Sequence, residues 1–234
     1  MNVIETKNLS FGYKKENILR TLNLKIPENS IFGFLGINGA GKSTTIRLLL
    51  GLLSAQKGSV FLFGKELSKN KPELLHKVGA LIDHSTFYPH LSAHNNLKIL
   101  AVLLGISNSR IEQTLELVGL STEGDKRVGN YSVGMKQRLG LAMALINDPP
   151  LLILDEPANG LDPLGIIELR NLLITLHKDH GKTIFLSSHL LDELDKIITN
   201  VAVIHKGEIQ FQGTKEKLIE QSGNLEKSFL TLTT

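Results

Sequence analysis

An apolar run, Ile31, Phe32, Phe34 and Leu35, leads straight into Gly36-Ile-Asn-Gly-Ala-Gly-Lys-Ser-Thr44, and Thr45-Ile-Arg-Leu-Leu-Leu follows without a further break. The run reads as a buried strand and the following segment as a helix, so the glycines form the single turn between them. Glycines let successive backbone N–H groups turn inward on an anion with no Cβ in the way, and the helix adds the positive end of its dipole. The segment from Gly36 to Ser43 therefore fits a phosphate-binding loop. In that reading Lys42 neutralises the terminal phosphates of a nucleoside triphosphate and the Ser43 hydroxyl holds Mg²⁺. A strand, loop and helix joined in this way commit the chain to an α/β fold.

The rest of the chain supports that class. Residues 3–9 and 18–26 read as strands, as do 31–35 and 58–63, with a helix at 43–53 between the last two, so the amino-terminal part is β-rich and antiparallel. From 93 to 146 the pattern becomes helical, with apolar spacing at Leu97, Leu100, Ala101 and Leu104 and again at Ile111, Leu115 and Val118. A helical lobe at about 84–146 is thus expected as an insertion within one 234-residue unit. Leu151–Asp155, Thr183–Ser187 and Val201–His205 read as buried strands separated by helices, the alternation of a mostly parallel sheet. Lys206-Gly207 turns into Glu208–Gln212 as a closing hairpin.

Leu151-Leu-Ile-Leu-Asp155-Glu156-Pro157 is the second element that carries chemistry. A strand ending in two acids sets both at the carboxyl edge of the sheet, where open α/β sheets bind ligands. Asp155 would support Mg²⁺ through bound water, and Glu156 could take a proton from an attacking water. Between the two motifs, Ser132 in Tyr131-Ser-Val-Gly-Met-Lys-Gln-Arg138 reads as the N-cap of an apolar helix whose free N–H groups face an anion.

Composition narrows the function classes. A formal charge of +3, with acids and bases mixed along the chain, gives no reason to infer a nucleic-acid partner. There is no cysteine, so disulfide, thiolate-zinc and thiol-nucleophile chemistry are excluded. No signal-peptide core is evident, and the longest apolar stretch, Leu139 to Ile146, falls short of the ~20 residues that span a bilayer. A cytoplasmic location with no membrane span of its own is expected.

Taken in order, these elements resemble the ATP-binding subunits of ABC transporters, and the resemblance covers nearly the whole chain. Gly36–Thr44 is similar to the Walker A loop, Leu151–Glu156 to the Walker B strand, and Tyr131–Met135 to the family signature Leu-Ser-Gly-Gly-Gln. Asn159-Gly-Leu-Asp162 resembles the D-loop, Ser187-Ser-His189 the switch-histidine loop, and Tyr13 the aromatic residue that stacks on adenine. The resemblance implies a P-loop NTPase core in a two-lobed ABC ATPase architecture that binds and hydrolyses ATP with Mg²⁺. Asn38, Gly39, Ala40, Gly41, Lys42, Ser43 and Thr44 would hold the phosphates, with Glu156, His189 and Lys42 as the catalytic set and Ser43, Asp83 and Asp155 at the metal. It implies a homodimer in which Ser132 and Gly134 reach the γ-phosphate bound to the other chain and Asp162 links the two sites. It also implies separate transmembrane permease subunits that hold the chain at the inner face of the membrane.

Two departures from the family pattern stand out. Val133 and Met135 replace the Gly and Gln of the signature, while Ser132 and Gly134, which touch phosphate, are kept. Asp83 stands where the family usually has Gln in the loop joining the lobes. That loop, with Phe87-Tyr-Pro89, the Tyr131 segment and the tail Asn224-Leu-Glu-Lys-Ser-Phe-Leu230, resembles bacterial subunits that protect producers from bacitracin or lantibiotics, so antimicrobial-peptide or drug export is expected. A non-transport ABC ATPase and an ATP-sensing module are the alternatives. A small GTPase is disfavoured because no Asn-Lys-x-Asp segment occurs.

Overall fold

Leu151, Leu152, Ile153 and Leu154 are all buried, and alternate members enter different cores. Leu152 and Leu154 join one apolar cluster with Ile184 and Leu186, whereas Leu151 and Ile153 join the other with Phe32, Phe34 and Phe185. A strand covered on both faces must be apolar throughout, which is why these segments read as unbroken greasy runs. The computed structural model describes residues 1–13, 16–82, 86–220 and 223–233.

In chain order the elements are β1 (Asn2–Tyr13), β2 (Glu16–Leu22), β3 (Lys25–Pro27), β4 (Ile31–Leu35), α1 (Lys42–Leu49), β5 (Lys57–Leu62), β6 (Lys65–Glu66), α2 (Leu67–Leu75) and β7 (Val78–Leu81). There follow α3 (Ala93–Leu104), α4 (Asn108–Leu117), α5 (Val133–Leu145), β8 (Leu151–Asp155), α6 (Pro163–Lys178), β9 (Thr183–Ser187) and α7 (Leu191–Asp195). The chain closes with β10 (Asn200–His205), β11 (Glu208–Thr214), α8 (Lys215–Ile219) and α9 (Leu225–Thr233).

The central sheet runs β11-β10-β4-β9-β8-β7, parallel except for the antiparallel hairpin strand β11. The amino-terminal sheet is antiparallel in the order β2-β1-β5-β6, with β3 also on β1. One core lies between the two sheets and encloses α1, with Phe185 stacked on Phe32 and tilted on Phe34 at ring-centroid distances of 5.9 and 5.4 Å. The other lies on the far face of the central sheet, where α5 and α6 pack and where Leu97, Ala101, Ile111 and Leu115 bring in α3 and α4. The result is a two-lobed α/β architecture with a mixed, mostly parallel sheet and a helical portion.

Three local readings differ from the sequence expectation. The helix expected to continue to residue 53 ends at Leu49, where Gly51 at φ 61° turns the chain left-handed. Gly51 N–H then donates to Leu48 O at 3.0 Å and Leu52 N–H to Arg47 O at 2.8 Å, a Schellman closure. The strand expected over 18–26 is two strands, because Thr6 Oγ1 takes the place of a ladder partner, donating to Leu22 O and accepting from Leu24 N–H, each at 2.8 Å. Helix α2 and strand β7 lie in a stretch where the sequence pattern signals neither.

Candidate functional site

Parallel strands deliver their carboxyl ends to one edge, and here β4, β9 and β8 lie side by side. β4 runs into the glycine loop, β8 into Asp155 and Glu156, and β9 into Ser187, Ser188 and His189. A cavity of about 500 Å³ opens at this edge, lined by Ile18, Ile37, Asn38, Gly39, Gly41, Lys42, Ser43, Thr44, Glu156, Asn159 and His189. Gly41 at φ 109° is the N-cap of α1 and has no side chain to cap it, so the first N–H groups of the helix stay open to the cavity. Ala40 is buried behind the loop, and its carbonyl accepts from Gly207 N–H at 3.2 Å.

The charged groups in the cavity are already arranged around one another. Lys42, 7% exposed, donates from Nζ to Gly36 O at 2.7 Å and lies 3.7 Å from Glu156 Oε1. Glu156 Oε2 lies 2.7 Å from His189 Nδ1 and accepts from the His189 backbone N–H at 3.2 Å. Asp155 is 5% exposed, and its Oδ1 accepts from Ser187 Oγ at 2.5 Å. Glu156 itself sits at φ 48°, a left-handed conformation costing a non-glycine residue roughly 1–2 kcal/mol. Its N–H bonds Ser187 Oγ at 2.9 Å, and its carbonyl accepts from Asn159 N–H at 3.1 Å, which holds that turn in place.

The structure thus gathers Asn38, Gly39, Gly41, Lys42, Ser43, Thr44, Glu156 and His189 around one cavity, with Asp155 buried at the end of the adjoining strand. Ser132, Gly134 and Asp162 lie elsewhere. Ser132 caps α5 by accepting from Met135 N–H at 3.2 Å, and Asp162 caps α6 by accepting from Gly165 N–H at 2.8 Å. Gly134 faces Leu161 of the turn that leads into α6. Tyr13 closes the β1–β2 ladder opposite Glu16, half exposed and edge-on to Phe11 at a centroid distance of 4.9 Å. Ile18, from the partner strand, is the described hairpin residue that lines the cavity. Asp83 lies outside the described residues.

Sequence reasoning assigned no role to Ser187, Asn159 or Gln137. Gln137 on α5 donates from Nε2 to Pro157 O at 2.6 Å, directly after Glu156. All three stand inside motif-bearing segments, but strand register is what sets Ser187 beside Asp155 and helix packing what sets Gln137 beside Pro157, while Asn159 meets Glu156 within one turn. Oxygen donors are what Mg²⁺ takes, commonly one or two carboxylates together with substrate phosphates, and the Ser43 hydroxyl and Asp155 carboxylate fit that chemistry.

Residues 19–159 match the family model described as ABC transporter. Among similar proteins, the bacitracin transport ATP-binding protein BcrA of Bacillus licheniformis is 46% identical over 220 residues, covering 92% of this chain and 72% of that protein. The lantibiotic transport ATP-binding protein SrtF of Streptococcus pyogenes is 42% identical over 227 residues, covering 97% and 96%. A solved structure described as the ATP binding subunit of an ABC transporter superposes with a TM-score of 0.88 at 28% identity, covering 99% of this chain and all of that one. The structure of cbiO1 from Clostridium perfringens, described as part of the ABC transporter complex cbiONQ, gives 0.86 at 26% identity, covering 94% and 91%.

Proposed function

The chain belongs to the ABC transporter family as an ATP-binding and ATP-hydrolysing subunit, and from that premise we propose that it drives a separate membrane permease that exports an antimicrobial peptide or drug. The reading of the cargo rests on the likeness to the bacitracin and lantibiotic transport proteins. Among the described residues no helix is long and apolar enough to cross a membrane, so passage of cargo falls to permease chains that would hold this subunit at the inner membrane face.

The observation that carries the chemical reading is the Glu156 carboxylate between His189 and Lys42 at the rim of the glycine-loop cavity. In this proposal the loop from Asn38 to Thr44 wraps the phosphates of ATP. Ser43 and Asp155 hold Mg²⁺, which when bound neutralises phosphate charge. Glu156 takes the proton of the attacking water, and His189 orients that carboxylate and meets the γ-phosphate. Tyr13 and Ile18 flank the adenine end.

Ser132 and Asp162 cap helices, and Gly134 lies in the first turn of α5, all away from their own chain's cavity, which supports a head-to-tail homodimer where they complete the partner's site. The residues from about 84 to 146 would act as the lobe that carries Ser132 and Gly134, and Asp83 would report the nucleotide to the permease. The deciding test is ATP turnover by the purified chain with Mg²⁺ and by Glu156→Gln, which should bind ATP yet turn over at least ~100-fold more slowly. Near-normal turnover in that variant removes Glu156 from the role of base.

A further inference from the structure

Asp155 and Ser187 are register partners at the ends of β8 and β9, so their side chains leave the sheet edge side by side. The Ser187 side chain is fully buried, and its single hydroxyl serves both acids at once. A hydroxyl can give only one proton. At 2.5 Å from Asp155 Oδ1 that proton goes to the carboxylate, and the oxygen lone pair, 2.9 Å from Glu156 N, receives the peptide N–H. The bonds form one directed chain, Glu156 N–H to Ser187 Oγ–H to Asp155 Oδ1.

We infer that Ser187 is a positioning residue for ATP hydrolysis, fixing Asp155 toward the metal and Glu156 toward the attacking water through this one hydroxyl. With Oδ1 committed to Ser187, Asp155 keeps Oδ2 for metal-bound water, and its carboxyl plane is set by a bond rather than by packing alone. The second arm matters because Glu156 is held at φ 48°, a conformation that persists only where neighbouring groups enforce it. An apolar side chain at 187 would leave a buried carboxylate oxygen and a part-buried N–H unpaired, the costly way to lose a hydrogen bond. Ser188, next along the chain, bonds Leu190 N–H at 3.0 Å and so belongs to the turn beyond the strand.

The inference rests on the proposed roles of Asp155 and Glu156, and the test separates the two. Wild type, Ser187→Ala and Ser187→Thr are compared for ATP turnover, thermal melting, and binding of trinitrophenyl-ATP in EDTA and across a Mg²⁺ titration. Ser187→Ala should lose about tenfold in kcat and need several-fold more Mg²⁺ for half-maximal enhancement of binding, with affinity in EDTA unchanged. Ser187→Thr, which keeps the hydroxyl, should recover the Mg²⁺ response. If Ser187→Ala does not fold, Ser187→Cys, close in volume but a weak donor, gives the same readout. An unaltered Mg²⁺ midpoint in the alanine or cysteine variant, with kcat unchanged or falling only in step with stability, overturns the inference. A wild type that fails to hydrolyse ATP with Mg²⁺ overturns the underlying reading of the site instead.

Discussion

The Glu156 carboxylate and the His189 imidazole lie within hydrogen-bond distance, Oε2 to Nδ1 at 2.7 Å, and the same oxygen also accepts the His189 backbone N–H at 3.2 Å. His189 thereby holds one carboxylate oxygen, and the other, Oε1, is the one 3.7 Å from Lys42. The turn after β8 and the turn after β9 therefore act on the same atoms.

Residues that act as a unit give strongly non-additive losses when removed. Glu156→Gln and His189→Ala should each cut turnover, by at least ~100-fold for the glutamate. The double variant should be little worse than Glu156→Gln alone, because the histidine has lost the carboxylate it orients. Single-turnover kinetics on the four proteins measure the coupling, and multiplicative losses would show that His189 works apart from Glu156.

The head-to-tail dimer is tested at Ser132. Its side chain is exposed at the N-cap of α5, and an arginine there would place bulk at the cap while removing the hydroxyl. Glu156→Gln with ATP and Mg²⁺ should elute as a dimer, and adding Ser132→Arg should return it to a monomer with ATP still bound. A permease-bound complex carrying one copy that never pairs would sink the arrangement.

Which parts of this molecule can be read from sequence follows from how each residue does its work. Leu151–Asp155 and Thr183–Ser187 are readable because strands covered on both faces admit only apolar side chains until the sheet edge. Helix α2 is not, since it carries Pro72 and a non-helical Asn70 at φ −131°, and β7 has four residues with Gly79 among them. Lys42, Ser43, Glu156 and His189 are readable because their chemistry lies in residue type at fixed spacing. Ser187 is a serine beside a serine, and only its register opposite Asp155 distinguishes it from Ser188. Ile18 lines the cavity through the folding of the amino-terminal sheet, and no local pattern marks it.

Gln137 ties α5 to the segment that follows the catalytic carboxylate, through Nε2 to Pro157 O at 2.6 Å. Arg138 adds a bond to Val118 O at 3.3 Å and an ion pair with Glu168 of α6. Gln137→Leu keeps the volume but leaves the Pro157 carbonyl without its donor, a loss of about 1–2 kcal/mol. The melting temperature should fall by roughly 2–8 °C for a chain of this size. Turnover should fall further than ATP affinity, since the disturbed peptide adjoins Glu156. Equal loss of both would mark Gln137 as a packing residue only.

At the opposite end of β8 a second charged cluster gives stability its pH dependence. Asp148, between α5 and β8, accepts at Oδ1 from Lys182 Nζ at 2.6 Å and from the Arg110 guanidinium of α4 at 3.1 Å. Burial pushes its carboxyl up, but the Lys182 hydrogen bond and charge, with Arg110 and His180 adding to them, bring it net below the usual aspartate value. A folded-state pKa lowered in this way contributes stability above the unfolded value near 3.8, and that contribution is lost as pH falls through the folded value. The Asp148 side chain is 65% exposed, so solvent screening limits the pair to ~0.5–1 kcal/mol. Asp148→Asn should therefore lower the melting temperature at pH 7. The gap to wild type should close as both are acidified below about pH 4. Lys182 is nearly buried, and its ammonium loses its carboxylate partner in the variant, so Lys182→Met should recover part of the loss when added to Asp148→Asn. Melting curves for wild type and the single and double variants between pH 3 and 8 decide it, and a gap that stays constant through that range would mean that Asp148 acts by shape rather than charge.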